Sequence, residues 1–159
     1  MDQLDRKILA LYQRDTRRIA ESIGAEIGLS AAGVQRRLKR LRSDRVITAE
    51  IAVLDSGAVG VPITCLVSVA MASGSAPRNS LDEFKRNMKS VNEVQQCYHV
   101  TGSTDFLLVV TAESMEAYGE FARRWFESNE YVVRYETQVV LDKVKVGLSV
   151  PIREDQPNR

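Results

Sequence analysis

The stretch LSAAGVQRRLKRLRSDRVI, Leu29 to Ile47, holds six basic residues (Arg36, Arg37, Lys39, Arg40, Arg42 and Arg45) against one acid, Asp44. The whole chain of 159 residues carries a net charge of only +1. At about 100° per residue, Val34, Leu38 and Leu41 fall on one stripe, so the spacing predicts a helix with one buried face. The opposite face then carries Ala32, Arg36, Lys39, Arg40 and Ser43, with Gln35 and Arg42 on one flank and Arg37 on the other. Ser30 suits an N-cap, because its hydroxyl can accept from a free first-turn amide. Leu29 and Val34 fit a hydrophobic staple around it.

Upstream, Leu4, Ile8 and Leu11 form a helical stripe, and a second helix is expected from about Arg17 to Glu26 with Ile19, Ile23 and Ile27 turned inward. Gly28 breaks that helix, so the second and third helices form a helix-turn-helix. Gly24 lies four residues before the turn glycine, where the two helices come closest and a small residue is needed. Ala31, Ala32 and Gly33 make the start of the third helix small, which suits entry into a DNA major groove. Gln35 and Arg36 are placed to read base edges, and Lys39, Arg40 and Arg42 to meet phosphates. A plain solvated face is the alternative. The single sign of the charge, the preceding turn and the lack of acids four residues away favour DNA. Val46, Ile47, Ile51, Val53 and Leu54 suggest a β-ribbon, hence a winged module over residues 1–54, followed by a Gly- and Pro-containing linker over 55–62.

Charge divides the chain in the same place. Residues 1–54 carry 11 Lys and Arg against 7 Asp and Glu, whereas residues 55–159 carry 11 against 14. A basic front and an acidic back imply different partners. In the back, Ile63–Ala72, Val94–Val100, Phe106–Ala112 and Val132–Leu141 read as strands, with a further short one around Lys143–Leu148. SGSAPRNS is a loop. Leu81, Phe84 and Met88 mark a helix over Ser80–Ser90; Met115, Tyr118, Ala122 and Trp125 mark another over Ser114–Ser128. The order β-α-β-β-α-β is the ferredoxin-like plan, an α+β architecture with both helices on one face of the sheet. That domain is expected over 63–150, with a tail over 151–159. Phe106-Leu107-Leu108-Val109-Val110 is apolar on both alternations, so the other face needs cover, and a second copy packed sheet to sheet supplies it.

LDRKIL, IGLSAAGVQRRLKRL with VI after it, CYHVTGSTDFLLVV and TQVVLDKVK together resemble the Lrp/AsnC family of prokaryotic transcription regulators, in the right order over nearly the whole chain. The resemblance implies an oligomeric, sequence-specific regulator that binds double-stranded DNA through a winged helix-turn-helix. The DNA-facing set is then Ser30, Ala31, Ala32, Gln35, Arg36, Arg37, Lys39, Arg40 and Arg42. It also implies a C-terminal module that dimerises, assembles further, commonly to octamers, and often senses amino acids. The effector turn it points to is Gly102, Ser103, Thr104 and Asp105, with Thr137 on the last strand: Asp105 to accept from an α-ammonium, turn amides to receive the α-carboxylate. Two positions depart from the family. Arg45 stands where a glycine usually precedes VI, and Ser103-Thr104 replaces an acid and an aromatic.

Rival classes are an enzyme and an effector-independent architectural DNA-binding protein. No nucleophile elbow, phosphate loop, metal spacing or carboxylate pair supports the enzyme. No motif calls for a cofactor other than an amino-acid effector. His99 reads as a strand residue rather than a catalyst. Cys65 and Cys97 read as reduced, buried small hydrophobes of a cytoplasmic protein. No membrane span is expected.

Overall fold

A computed structural model describes residues 1–72 and 80–153. Most of the loop expected over Ser73–Ser80, and the tail beyond Arg153, lie outside the described residues. The chain forms two compact units, one of Met1–Ala52 with the segment from Lys145 onward, the other of Val53–Val144.

In the first unit, α1 (Gln3–Tyr12), α2 (Ala20–Ile27) and α3 (Ala31–Ser43) pack around Ile8, Tyr12, Ile23, Val34 and Leu38. Helix α1 opens with a reciprocal capping box: Asp2 accepts from the Asp5 amide and Asp5 from the Asp2 amide. Helix α2 starts three residues later than the pattern suggested. The Asp15 carboxylate accepts from the Arg17 amide at 3.0 Å, and this local turn competes with helix over Arg17–Arg18. Ile19 therefore serves as an N-cap and is 63% exposed rather than buried.

Both later helices close in the same way. After α2, Gly28 takes φ +76° and the Leu29 amide returns to Gly24 O at 2.9 Å. After α3, Arg45 takes φ +55°, its amide bonds Arg42 O, and the Val46 amide returns to Leu41 O at 2.9 Å. Each is a Schellman closure, whose left-handed residue is ordinarily glycine. Ile47 also donates to Leu41 O, at 3.1 Å. With these two amides spent on the end of α3 and no facing strand among the described residues, the β-ribbon expected over Val46–Leu54 does not form. Gly24 is small for the reason anticipated: a Cβ there would lie 2.3 Å from Leu29 O. Gly33 corrects the picture of a small outer face. It is buried, and its amide donates to the Ser30 hydroxyl cap at 3.2 Å.

In the second unit the former linker is one tight turn. The Asp55 carboxylate accepts from the Ala58 amide, and Gly60, at φ +84°, lets the chain leave it. Strands β1 (Ile63–Met71), β2 (Val94–His99), β3 (Phe106–Ala112) and β4 (Val132–Val139) form one antiparallel sheet in the order β2-β3-β1-β4. Helices α4 (Ser80–Ser90) and α5 (Met115–Ala122) cover one face; α5 runs on as a π-helical turn, Arg123–Glu127. The core is the helix-side alternation, Cys65, Val67 and Val69 on β1 with Phe106, Leu108 and Val110 on β3, closed by Phe84, Met88, Phe121 and Phe126. This is the expected ferredoxin-like plan. Met115 is 43% exposed and lies outside that core. The strand expected around Lys143–Leu148 is absent: this stretch has no ladder partner among the described residues, and from Lys145 it belongs to the first unit. There the Gln13 side-chain amide pairs both ways with the Val150 backbone, at 2.9 and 3.1 Å.

Two substitutions at helix ends should act in opposite directions. Gly24→Ala drives a methyl into backbone and should destabilise the first unit by about 1–3 kcal/mol. Arg45→Gly removes left-handed strain, partly offset by a freer unfolded chain, and should stabilise it by about 0.5–1 kcal/mol. Urea titration followed by hydrogen exchange at α2 and α3 amides measures both.

Candidate nucleic-acid interface and effector turn

Helix α3 presents the anticipated stripe. Val34, Leu38 and Leu41 are buried, and Ala32, Gln35, Arg36, Lys39, Arg40, Arg42 and Ser43 are exposed. Ser30 is an exposed N-cap, and Ala31 is half-buried. The six cations of the stretch are not equivalent. Arg37 is turned inward: its Nη1 donates to Asp2 Oδ2 at 2.6 Å and to Asp5 Oδ1 at 2.8 Å. Arg40 Nη2 donates to Asp5 Oδ2 at 2.6 Å, while its side chain stays 51% exposed. The Asp5 side chain is wholly buried, so both of its oxygens are charge-paired by α3.

Arg42 has a separate set of partners. Its Nε and Nη2 reach Glu50 Oε1 at 3.0 and 2.9 Å, Nη2 also donates to the Tyr12 hydroxyl at 2.8 Å, and the guanidinium sits 5.6 Å from the Tyr12 ring centroid. The Tyr12 hydroxyl in turn donates to Glu50 at 2.9 Å. This triad ties the chain leaving α3 to α1. Gln35, Arg36 and Lys39 have no side-chain hydrogen bond or ion pair among the described residues, and they lie together on the exposed face.

At the other site, Gly102 takes φ +121° in the β2–β3 turn, with Ser103 exposed and Thr104 half-buried. The Asp105 amide donates to Val69 O at 2.9 Å, and its Oδ2 accepts from the Met71 amide at 2.7 Å. Asp105 thus fastens the turn to the end of β1, and Oδ1 has no hydrogen bond among the described residues. Thr137 is not gathered with this turn. It stands opposite Val67, two residues along β1 from the strand oxygen that Asp105 contacts, and its hydroxyl bonds the buried Tyr118 hydroxyl on the helix side.

Sequence comparison matches both parts of the chain. The profile of the Lrp/AsnC ligand binding domain matches residues 64–150, and that of the AsnC-type helix-turn-helix domain matches residues 1–42. The chain belongs to the Lrp/AsnC family. It is 41% identical, over 96% of its length and 89% of the relative's, to an uncharacterized HTH-type transcriptional regulator of Sinorhizobium fredii. An AsnC family transcriptional regulator from Agrobacterium tumefaciens superposes with a TM-score of 0.86 at 30% identity, covering 95% of this chain and 97% of that one. A transcriptional regulator from Neisseria meningitidis, solved as its L-Met complex, also gives 0.86, at 25% identity, over 95% and 96% of the two chains. The protein is accordingly a DNA-binding transcriptional regulator of the Lrp/AsnC type. No described helix is long and apolar enough to cross a membrane.

In this Lrp/AsnC chain the carboxylates behind α3 were not foreseen. Helical periodicity brings together residues four apart on one helix, whereas Asp2 and Asp5 come from about thirty-five residues upstream. A signal was present: an acid at position 5, beside Leu4 and Ile8, interrupts an otherwise apolar stripe. The pairing also shifts ionisation. The Asp5 amide, and then Arg37, hold the Asp2 carboxyl below its ordinary range. Tyr12, and then Arg42, do the same for Glu50.

Asp5→Ala should destabilise the first unit by about 1.5–3 kcal/mol, because charge-assisted bonds to a buried carboxylate are lost while Arg37 keeps Asp2 and Arg40 stays half exposed. Asp2 and Glu50 contribute stability that is complete above their unfolded-state values and is lost as pH falls through the lower folded values. Asp2→Asn should therefore flatten the acid limb of stability below pH 3.8, the unshifted value, in pH-resolved denaturation.

Proposed function

We propose that α3 enters the major groove of double-stranded DNA and that its cations divide the work. Gln35 and Arg36 read base edges. Lys39, with the outward side of Arg40, meets phosphates, and Ser30, Ala31 and Ala32 let the helix start approach the backbone. Arg37 and Arg42 act mainly by fixing the angle at which α3 is presented. The observation that carries this reading is the exposed trio Gln35, Arg36 and Lys39, without carboxylate partners among the described residues on a helix whose other arginines are pinned.

The assembly proposed is a dimer through the uncovered sheet face, the unit from which family-like octamers are built. Leu66 at 44% exposure, Leu107 at 45% and Tyr98 at 51% lie on that face, around a depression of about 390 Å³ also lined by Val109, Glu136 and Gln138. Register brings Leu66 beside Val109, and Leu107 beside Tyr98, so the apolar patch is continuous across three strands.

The effector proposed is an amino acid at Gly102–Asp105. Support comes from the free Asp105 Oδ1, the left-handed Gly102, and the L-Met complex of the Neisseria relative. Thr137 takes part only if its bond to Tyr118 opens.

Three measurements test these readings. Arg36→Ala should lower the operator-to-random affinity ratio by about 1–3 kcal/mol, while Lys39→Ala should weaken both equally and reduce the salt slope by about one unit. Leu107→Glu should convert the protein to monomer in light scattering with its circular dichroism unchanged; a persistent dimer would exclude the sheet face. A thermal-shift screen should find an amino acid that raises the melting temperature. Asp105→Ala should abolish that response while DNA binding persists. No response to any amino acid would favour an effector-independent architectural role.

A further inference from the structure

A groove of about 450 Å³ lies between α4 and the edge strand β2, within the size range of small-molecule sites. Its floor is apolar, from Met88, Phe106 and the half-buried Cys97. Its rim carries Lys85, Lys89 and His99, with the imidazole packed at 5.0 Å against the Phe106 ring. No carboxylate among the described residues lines it. That sign is the reverse of the surrounding sequence, since residues 55–159 hold 14 acids against 11 bases. Among the described residues Lys85 has one acidic neighbour, Asp82 at 3.7 Å, an exposed contact that water screens. Lys89 has no carboxylate partner among the described residues.

The backbone adds donors of the same character. The Val100 amide donates to Asp105 O and so points toward β3. By the alternation of an antiparallel ladder, the amides of Cys97 and His99 point the other way, to the free edge beside the groove. Two ammonium groups, an imidazole and two unpaired amides thus border an apolar trough. An anionic head with an apolar body satisfies both parts. An amino acid would bring its α-ammonium among like charges with no acid to receive it.

We propose that this groove binds a small organic acid without an ammonium group, a carboxylate with an aliphatic or aromatic body. It is a second ligand site, of opposite selectivity to the turn at Asp105, and it does not rest on the effector reading of that turn. Cys97 reports on it, because the thiol lies on the floor while Cys65 is fully buried and serves as internal reference.

The test uses the full-length protein at fixed pH and ionic strength. Alkylation of Cys97 by iodoacetamide is followed by peptide mass spectrometry, and the Met88 methyl resonance gives a reading independent of the thiol. Phenylacetate and hexanoate should slow alkylation saturably and shift the methyl signal; phenylalanine and 2-phenylethylammonium should do neither at the same concentration. Lys89→Gln, which keeps most of the stem and removes the charge, should weaken phenylacetate about tenfold. Asp105→Asn should leave phenylacetate binding unchanged even where it abolishes an amino-acid response. Absence of any effect from both carboxylates overturns the proposal. So does equal binding of phenylalanine, an equal effect of chloride, or undiminished binding by Lys89→Gln.

Discussion

Asp5 has no contact with solvent, and both of its oxygens face guanidinium groups that belong to α3. Removing a carboxylate from water is costly, and it is tolerated here because Arg37 and Arg40 meet it and the capping box uses it as well. The pairing is therefore conditional in both directions. Without the two arginines Asp5 would be a buried, unpaired charge; without Asp5, they would lose the anchor that orients them. Apolar contacts such as Val34 and Leu38 tolerate small rotations of α3 about its axis. A carboxylate held from two positions three residues apart does not. The direction in which Arg36 and Lys39 project follows from this bond.

This changes the meaning of the basic stretch. Net charge alone treats six cations as interchangeable. Arg37 is instead mostly internal, Arg42 is exposed but tied to Glu50 and Tyr12, Arg40 is shared, and Arg45 stands in a left-handed seat at the helix end. What remains for a polyanion is smaller and more localised than the sequence count, and it lies on one side of the helix.

The helix-turn-helix, the Gly24 close approach, the Ser30 cap and the β-α-β-β-α-β order were legible in the sequence because each rests on a short-range rule: period, cap chemistry or steric room. What escaped was mostly distant in sequence, with one local exception at Asp15. The acids behind α3 are distant in sequence, Ile19 was diverted by the Asp15 turn, and Thr137 found Tyr118 across the sheet-to-helix interface. The wing and the last strand failed for another reason. Ile51, Val53, Val144 and Val146 have strand-like composition, but a strand needs a neighbour, and composition does not say where one is. Their exposure, 68%, 89%, 90% and 70%, is the cost of that missing neighbour within one chain.

The return of the chain at Lys145 means that the DNA-binding unit is not continuous in sequence. Leu148, Val150 and Ile152 line the same cleft as Leu9, Tyr12 and Ile47, and Gln13 grips Val150 by its backbone. A premature stop codon just after residue 144 would leave every strand of the sheet encoded and still strip one wall from the cleft beside α1. Genetic lesions in the codons for α1 and in those after residue 144 can thus fall on a single physical unit.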